Sequence, residues 1–136
     1  MANAWPKPGI NKDTEFFWEG LKNGQLLIQR CKSCNTLRHP PGPVCANCHS
    51  FEWDTVASSG KGVIHSFVKI HHPDIPVFDK PNPIGLIDLE EGTRIVGRLV
   101  NFGDQEVAIG TAVEVVIEEV EPGLRLAFFQ PRKDSE

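Results

Sequence analysis

Residues 31–48 of this chain read CKSCNTLRHPPGPVCANC, and they decide the fold. They contain two C-x-x-C pairs, Cys31 with Cys34 and Cys45 with Cys48, and the 136-residue chain has no other cysteine. Two thiolates three positions apart can bind one ion from a tight turn, and two such turns complete a tetrahedral sulfur shell. The spacing therefore predicts one zinc ion bound by all four cysteines.

A zinc ion inside four thiolates has no open position for water or substrate, so we expect the metal to be structural. Two disulfides, or an iron site of rubredoxin type, would use the same cysteines. His49, next to Cys48, could also replace one thiolate as a ligand. Zinc is favoured over disulfides because the chain shows no sign of export, and cytoplasmic thiols stay reduced.

The composition is that of an ordinary globular protein without a preference for nucleic acid. Apolar residues make up 40% of the chain and charged residues 24%, a balance that allows a buried core. Fourteen basic and 18 acidic residues give a net charge of −4. This charge argues against a protein dedicated to binding a phosphate backbone.

The amino-terminal residues are not expected to form a targeting signal. Residues 1–12 contain Pro6, Pro8 and Gly9 and lack the continuous apolar stretch of a signal peptide. No run elsewhere approaches membrane-spanning length. We therefore expect a cytoplasmic protein without a membrane segment.

Three segments follow one another along the chain. Residues 1–13 are predicted to form a flexible or partner-dependent arm, residues 14–57 a short helix and a zinc ribbon, and residues 58–136 a β domain. The helix is predicted from about Thr14 to Asn23, because Asp13 or Thr14 can cap its start and Asn23 is followed by glycine. The ribbon is too small for an adequate core, so zinc binding of roughly 10–16 kcal/mol would supply its folding energy.

The predicted helix carries a large aromatic load. Phe17, Trp18 and Leu21 fall on one side of it, with Phe16 beside them. Aromatic clusters carry much of the binding energy at protein interfaces, so these four residues are predicted to contact a partner protein. The alternative is that they pack on the ribbon of their own chain.

After residue 57 the sequence changes to short alternating strands. In Lys61–Ile70, alternation places Ile64, Ser66, Val68 and Ile70 on one face and Val63, His65, Phe67 and Lys69 on the other. A long loop follows, containing Pro73, Pro76, Pro81 and Pro83. Further strands are predicted at Ile84–Leu89, Arg94–Phe102, Ala112–Val120 and Leu124–Phe129. Five strands with glycine-rich turns are typical of a small barrel, and we predict a five-stranded OB-fold.

Together these residues resemble a family of acyl-CoA-associated proteins with a zinc ribbon and an OB-fold, long catalogued as a domain of unknown function. The resemblance runs from about Thr14 to Pro131. The matching stretches are FWEGL (17–21), LLIQRC (26–31), SGKGVIHSF (59–67), IVGRL (95–99), IGTAV (109–113) and FFQP (128–131). The resemblance implies a mainly β chain with an amino-terminal helix, a rubredoxin-like zinc ribbon and a carboxy-terminal OB barrel.

The resemblance also implies a function. Members of the family are usually non-catalytic subunits of a thiolase-like enzyme, an aldolase of thiolase fold or a hotdog-fold enoyl-CoA hydratase, and they support its assembly and substrate handling. We expect a hetero-oligomer, with a thiolase-like enzyme as the first choice of partner and acyl-CoA at the shared interface. A thiolase reaction needs an unligated thiolate, and no cysteine is left for it if all four bind zinc.

A second function would use the same two modules: binding of single-stranded nucleic acid, in which bases stack on aromatic residues along a basic groove. The negative charge and the absence of tyrosine argue against it. Several cations could instead face the phosphates of CoA without making the chain basic overall. They are Arg38, Lys61, Lys69, Arg94, Arg98 and Arg125.

Overall fold

The computed structural model describes residues 5–72 and 82–132. Most of the predicted proline-rich loop lies outside these residues. Within them the fold is mainly β, as predicted, and consists of one short helix, a three-stranded ribbon sheet and a closed five-stranded barrel. No helix in this part of the chain has the length and apolar character needed to cross a lipid bilayer.

Helix α1, Glu15–Lys22, lies within its predicted range. Thr14, one of the two residues predicted to cap the helix, occupies the N-cap position, but its side chain makes no capping hydrogen bond. Instead Asn11 Oδ1 accepts hydrogen bonds from the backbone N–H groups of Asp13 and Thr14, at 3.0 and 3.1 Å. After the helix, Gly24 adopts a φ of +79°, which glycine tolerates without steric cost. Local turns therefore fix both ends of the helix.

The ribbon sheet consists of strands β1, Leu27–Cys31, β2, Leu37–Arg38, and β3, Trp53–Ala57, in the order β2-β1-β3. Both neighbours run antiparallel to β1. Strand β1 ends on Cys31, which lies opposite Trp53 at the start of β3. The chain thus enters and leaves the cysteine-rich segment at the same end of the sheet.

The barrel consists of strands β4, Lys61–Ile70, β5, Asn82–Leu89, β6, Arg94–Leu99, β7, Ala112–Glu121, and β8, Leu124–Pro131. It closes in the strand order β4-β5-β6-β8-β7. Strands β4 and β7 pair antiparallel and complete the closure, whereas β6 and β8 are parallel. The predicted five-stranded OB-fold is confirmed.

A β-bulge in β4 changes which residues face the core. Ile64 and Ser66 lie opposite consecutive residues of β5, so His65 is an extra residue between them. The bulge reverses the alternation: Phe67 packs against the core, whereas Val68 is 58% exposed. The predicted face assignment is therefore wrong for every residue beyond the bulge.

The barrel interior is filled around one large ring. Phe129 is fully buried, and a Cβ atom built at Gly97 would lie 2.6 Å from its Cδ1 atom. The close approach of ring and backbone therefore requires glycine at this position. Other buried residues of the same core cluster are Ile64, Ile87, Leu89, Ile95, Leu99 and Val113.

Hydrogen bonds in the linker hold the ribbon against the barrel. The Ser58 hydroxyl donates to Glu91 Oε1 at 2.8 Å, and the Ser59 N–H donates to Glu91 Oε2 at 2.7 Å. The Ser59 hydroxyl also donates to Glu90 Oε1 at 2.7 Å. Both glutamates belong to the turn between β5 and β6, so this turn orients the two modules.

Candidate metal centre and partner-binding cleft

The two cysteine pairs form turns with the same backbone geometry. The N–H of Asn35 donates to the carbonyl of Cys31 at 2.9 Å, and the N–H of His49 donates to the carbonyl of Cys45 at 2.8 Å. Asn35 and His49 both have a φ of 67°, in the left-handed region that reverses the chain. Within the described residues the cluster of potential metal ligands consists of four cysteines and does not include His49.

The spacing of the sulfur atoms fits one zinc ion. All four Sγ atoms lie within 4.8 Å of one another. The distance is 3.6 Å between Cys31 and Cys48 and 3.7 Å between Cys34 and Cys45. A tetrahedron with Zn–S bonds of about 2.3 Å has edges of about 3.8 Å, whereas a disulfide needs about 2.05 Å. The donors therefore fit zinc rather than two disulfides.

Hydrogen-bond donors surround the sulfur atoms and favour their ionised form. In each pair, the backbone N–H two residues after the first cysteine donates to its sulfur, at 3.3 and 3.4 Å. The hydroxyl of Thr36, at 3.1 Å, and the side-chain amide of Asn47, at 3.4 Å, lower the pKa of Cys34 to about 5. The Cys34 side chain is therefore a thiolate at neutral pH, the form that binds a metal cation.

Cys48 shows why the cluster needs a cation. The Ser50 N–H lowers the pKa of Cys48, but contact with the Cys31 sulfur, desolvation and contact with the other two cysteines raise it to about 12. Four adjacent thiolates repel one another, so they ionise together only when a positive ion lies among them. The chemistry of these donors therefore fits a divalent metal.

The four helix residues predicted to contact a partner lie in different surroundings. The ring of Phe16 lies 5.0 Å from that of Trp53, so it packs on the ribbon of its own chain. Leu21 is 1% exposed, because it packs in the core cluster, and it does not belong to the exposed surface. Phe17 and Trp18 are half-buried, meet edge to face at 5.0 Å and line an open cleft.

This cleft lies between α1, β6 and β8 and has a volume of about 420 Å³. Its lining is apolar and includes Val96 of β6 and Phe128 of β8. Among the described residues that line it, Arg98 is the one charged residue. An apolar cleft with few polar groups is typical of a binding site.

The amino-terminal arm forms one side of the cleft. The ring of Trp5 lies 6.0 Å from that of Phe128, and its backbone N–H donates to Glu121 Oε2 at 2.8 Å. Lys7 Nζ donates to Glu121 Oε1 at 2.9 Å. These bonds, that of Lys7 first, hold the pKa of Glu121 below its ordinary value. Residues from Trp5 onward thus lie against the barrel, while the flexibility of the arm stays a prediction.

Two of the basic residues considered as contacts for the CoA phosphates lie on the outer face of β6. Arg98 Nε donates to Asn82 Oδ1 at 2.9 Å, and its guanidinium carbon lies 5.9 Å from the centre of the Phe128 ring. Arg94 Nε donates to Asp88 Oδ1 at 2.6 Å and holds the pKa of that carboxyl below its usual range. Arg94 therefore has a carboxylate partner in the chain, and Arg98 lies at the cleft.

Two family models match the chain. One, described as a ChsH2 rubredoxin-like zinc ribbon domain, matches residues 18–54, and one described as a ChsH2 C-terminal OB-fold domain matches residues 55–118. Together they cover well over half of the chain. The ribbon is thus a rubredoxin-like zinc ribbon, and its four clustered sulfurs fit a structural zinc ion.

Curated relatives carry names of two kinds. A probable enoyl-CoA hydratase alpha subunit from Thermomonospora curvata is 45% identical over 93% of this chain and 40% of its own length. The 3-oxo-4,17-pregnadiene-20-carboxyl-CoA hydratase alpha subunit of Mycobacterium tuberculosis is 41% identical over 82% of this chain and 35% of its own. A DUF35 domain-containing scaffold protein from Methanocaldococcus jannaschii is 35% identical over 76% and 75%. This chain therefore spans two fifths or less of the hydratase subunits.

Solved structures agree with the family models. A chain of the Ltp2–ChsH2(DUF35) aldolase is 45% identical, superposes with a TM-score of 0.87, and is matched over 92% of this chain and 98% of its own. A DUF35 protein from Sulfolobus solfataricus is 18% identical with a TM-score of 0.64, over 89% of this chain and 86% of its own, and shows the shared fold. This chain belongs to the DUF35 family, with a ChsH2-type zinc ribbon and OB-fold domain.

Proposed function

We propose that this chain is a non-catalytic accessory subunit of a hetero-oligomer that processes acyl-CoA. The main support is the apolar outer surface of the barrel beside the cleft. Val68 of β4 is 58% exposed and lies beside Ile84, and Val96 of β6 is 66% exposed and lies beside Leu86 on the same face of β5. A continuous exposed apolar patch of this kind is typical of a surface that another protein covers.

In this proposal, zinc bound by Cys31, Cys34, Cys45 and Cys48 stiffens the ribbon. The three ribbon strands have only 5, 2 and 5 residues, so their own contacts are few. Zinc binding adds stability on the order of 10–16 kcal/mol to such a module. Because the ion has no open position and no other cysteine remains, the partner enzyme supplies the reactive groups.

The partner is expected to be an enzyme that acts on a CoA thioester. The names of relatives include an aldolase and two hydratases, and a chain closely similar to this one occurs in the aldolase. An aldolase or a hydratase is therefore the preferred partner, and the thiolase-like partner stays a prediction from the sequence. Phe17 and Trp18 at the cleft are proposed to face this enzyme, with acyl-CoA near the shared interface.

Affinity purification of the tagged chain from its native source tests the proposal. We expect an aldolase, hydratase or thiolase-like enzyme in stoichiometric amount, identified by mass spectrometry, with CoA-thioester activity in the purified complex. The Cys45→Ser variant is the control, because loss of a zinc ligand should remove the same enzyme from the eluate. Purification of the wild-type chain alone, or with nucleic acid released by salt, would contradict the proposal.

A further inference from the structure

A small pocket lined by basic residues lies at the carboxyl end of α1, beside the turn between β7 and β8. Its volume is about 200 Å³, and none of the described residues that line it is acidic. Lys7, Lys22 and Arg125 are its basic residues, and the other lining residues are apolar and include Trp18 and Leu124. Three cations around one pocket concentrate a positive potential in a chain whose net charge is −4. We call this site the basic pocket.

Arg125 is the basic residue of this pocket that the fold leaves without a counter-ion. Lys7 pairs with Glu121 at 2.9 Å, and Lys22 Nζ lies 3.8 Å from Glu19 Oε2. Arg125 is half-buried, and within residues 5–72 and 82–132 it has no carboxylate partner. Its Nη1 atom donates to the carbonyl of Lys22 at 3.0 Å, which holds the guanidinium beside the last turn of α1. The charge is therefore fixed in place before any anion binds, which lowers the cost of binding one.

The same residues carry hydrogen-bond donors that have no acceptor. The Nε atom of Arg125 and the indole N–H of Trp18 are both buried, and neither has a partner in the described part of the chain. Most buried donors in folded proteins are paired, because an unpaired donor loses its bonds to water without replacing them. The residues of the basic pocket thus offer more donors than the fold supplies acceptors, as expected of a site for an anion.

The chemistry and the size of the pocket indicate which anion it holds. A planar guanidinium makes paired hydrogen bonds to two oxygens of a phosphate group, and a lysine ammonium adds a compact charge. The volume of about 200 Å³ is smaller than the range of about 300–1,000 Å³ for pockets that enclose a whole drug-sized ligand. The basic pocket therefore fits one phosphate group and the atoms next to it, with the rest of the ligand outside.

We propose that the basic pocket binds a phosphate group of acyl-CoA. Arg125 and Lys22 contact the phosphate oxygens, and Lys7 lies at the rim. The phosphate is inferred from the pocket itself, whereas CoA as its source rests on the proposed function. The inference assigns to this accessory chain a direct contact with the substrate of the complex.

An NMR titration of the zinc-loaded chain with CoA tests the inference, because this method detects weak binding and locates it. The indole N–H signal of Trp18 and the backbone amides of Lys22, Gly123 and Arg125 are expected to shift, whereas the indole signal of Trp53 on the ribbon should not. Pantetheine, which has no phosphate group, should leave the same signals in place. Absence of these shifts with CoA would overturn the inference.

Three charge-removing variants show whether binding depends on this pocket. Arg125→Gln and Lys22→Gln are expected to weaken CoA binding on the order of tenfold or more, since each removes a charge-assisted hydrogen bond. Lys61→Gln is the matched control, because Lys61 is exposed on β4 and does not line the pocket. It should change the affinity less than about twofold. Equal affinities in Lys22→Gln and Lys61→Gln would overturn the site, and thermal unfolding checks that each variant remains folded.

Titration with inorganic phosphate separates the two sources of the group. Weaker binding than CoA at the same signals supports the assignment to CoA, and equal affinity would overturn it. Failure of this inference is distinguishable from failure of the proposed function. If an acyl-CoA enzyme co-purifies but CoA does not bind the basic pocket, only the inference fails. If CoA binds there and no such enzyme co-purifies, the phosphate site stands and the accessory role fails.

Discussion

Replacing Leu21 with alanine is expected to destabilise the free chain. Leu21 is 1% exposed and belongs to the same buried cluster as Ile28 of the ribbon and Phe129 of the barrel. Its side chain therefore connects α1 to the core rather than to a partner. The loss should be measurable without any partner present.

The size of the loss follows from the atoms removed. Leucine has three more carbon atoms than alanine, and at about 0.8 kcal/mol per buried CH₂ group their transfer free energy is roughly 2.4 kcal/mol. The cavity left behind brings the expected loss to about 2.7–5 kcal/mol. With a urea m-value of about 2 kcal/mol/M, the unfolding midpoint should fall by about 1.3–2.5 M.

Urea unfolding followed by circular dichroism, with zinc in excess, measures this change. Val96→Ala is the matched control, since Val96 is 66% exposed and the expected change is below about 0.5 kcal/mol. A loss below about 1 kcal/mol for Leu21→Ala, accompanied by loss of the complex, would refute the assignment of Leu21 to the core. Leu21 would then belong to the partner interface, as the sequence analysis predicted.

Three further predictions concern the metal, the arm and the barrel core. Removing zinc with a chelator should speed amide exchange across residues 27–57. The amides of residues 112–131 should stay protected, because the barrel has its own core. Equal loss of protection in the ribbon and the barrel would contradict this prediction. The pKa of Glu121 is lowered in the folded chain, so its carboxylate should bind Trp5 and Lys7 fully at pH values above 4.5, the ordinary pKa of this group. These contacts should be lost as the pH falls through the lower pKa of the folded chain, and Glu121→Gln should weaken them at pH 7. The indole NMR signal of Trp5 reports this loss, and a signal unchanged in the variant and at pH 2 would count against the contact. Gly97→Ala places a Cβ atom 2.6 Å from Phe129 Cδ1 and should lower the free energy of unfolding by about 1–3 kcal/mol. Gly9→Ala, whose added Cβ atom has nothing within 4 Å, should leave it unchanged. Equal unfolding free energies of the two variants would show that the Phe129 ring can move aside.

The metal cluster could be predicted from the sequence because its signal is local. Each C-x-x-C pair encodes its own turn, and the structure brings the four sulfur atoms within 4.8 Å of one another. The barrel strands were predictable for a similar reason, since alternating residues and glycine-containing turns mark each strand. The predicted end of β6 was wrong, because the strand ends at Leu99 and not at Phe102. The helix ends were also encoded locally, although Asn11 and not Thr14 accepts the side-chain hydrogen bonds at the start.

The faces of β4 and the cleft depend on information that is not local. The bulge at His65 is visible only in the register between β4 and β5, so alternation alone assigned Phe67 and Val68 to the wrong faces. The cleft combines α1, β6 and β8, which lie far apart in the sequence. The sequence indicated one wall, through the aromatic residues Phe17 and Trp18 of the predicted helix, but it gave no information that β6 and β8 form the others.

The most direct test of the central claim is a comparison of CoA-thioester turnover in three samples. These are the isolated zinc-loaded chain, the co-purified enzyme without it, and the two recombined. We expect no turnover from the isolated chain, little from the enzyme alone and full activity after recombination. Full turnover by the isolated chain, or undiminished activity of the enzyme without it, would contradict the accessory role.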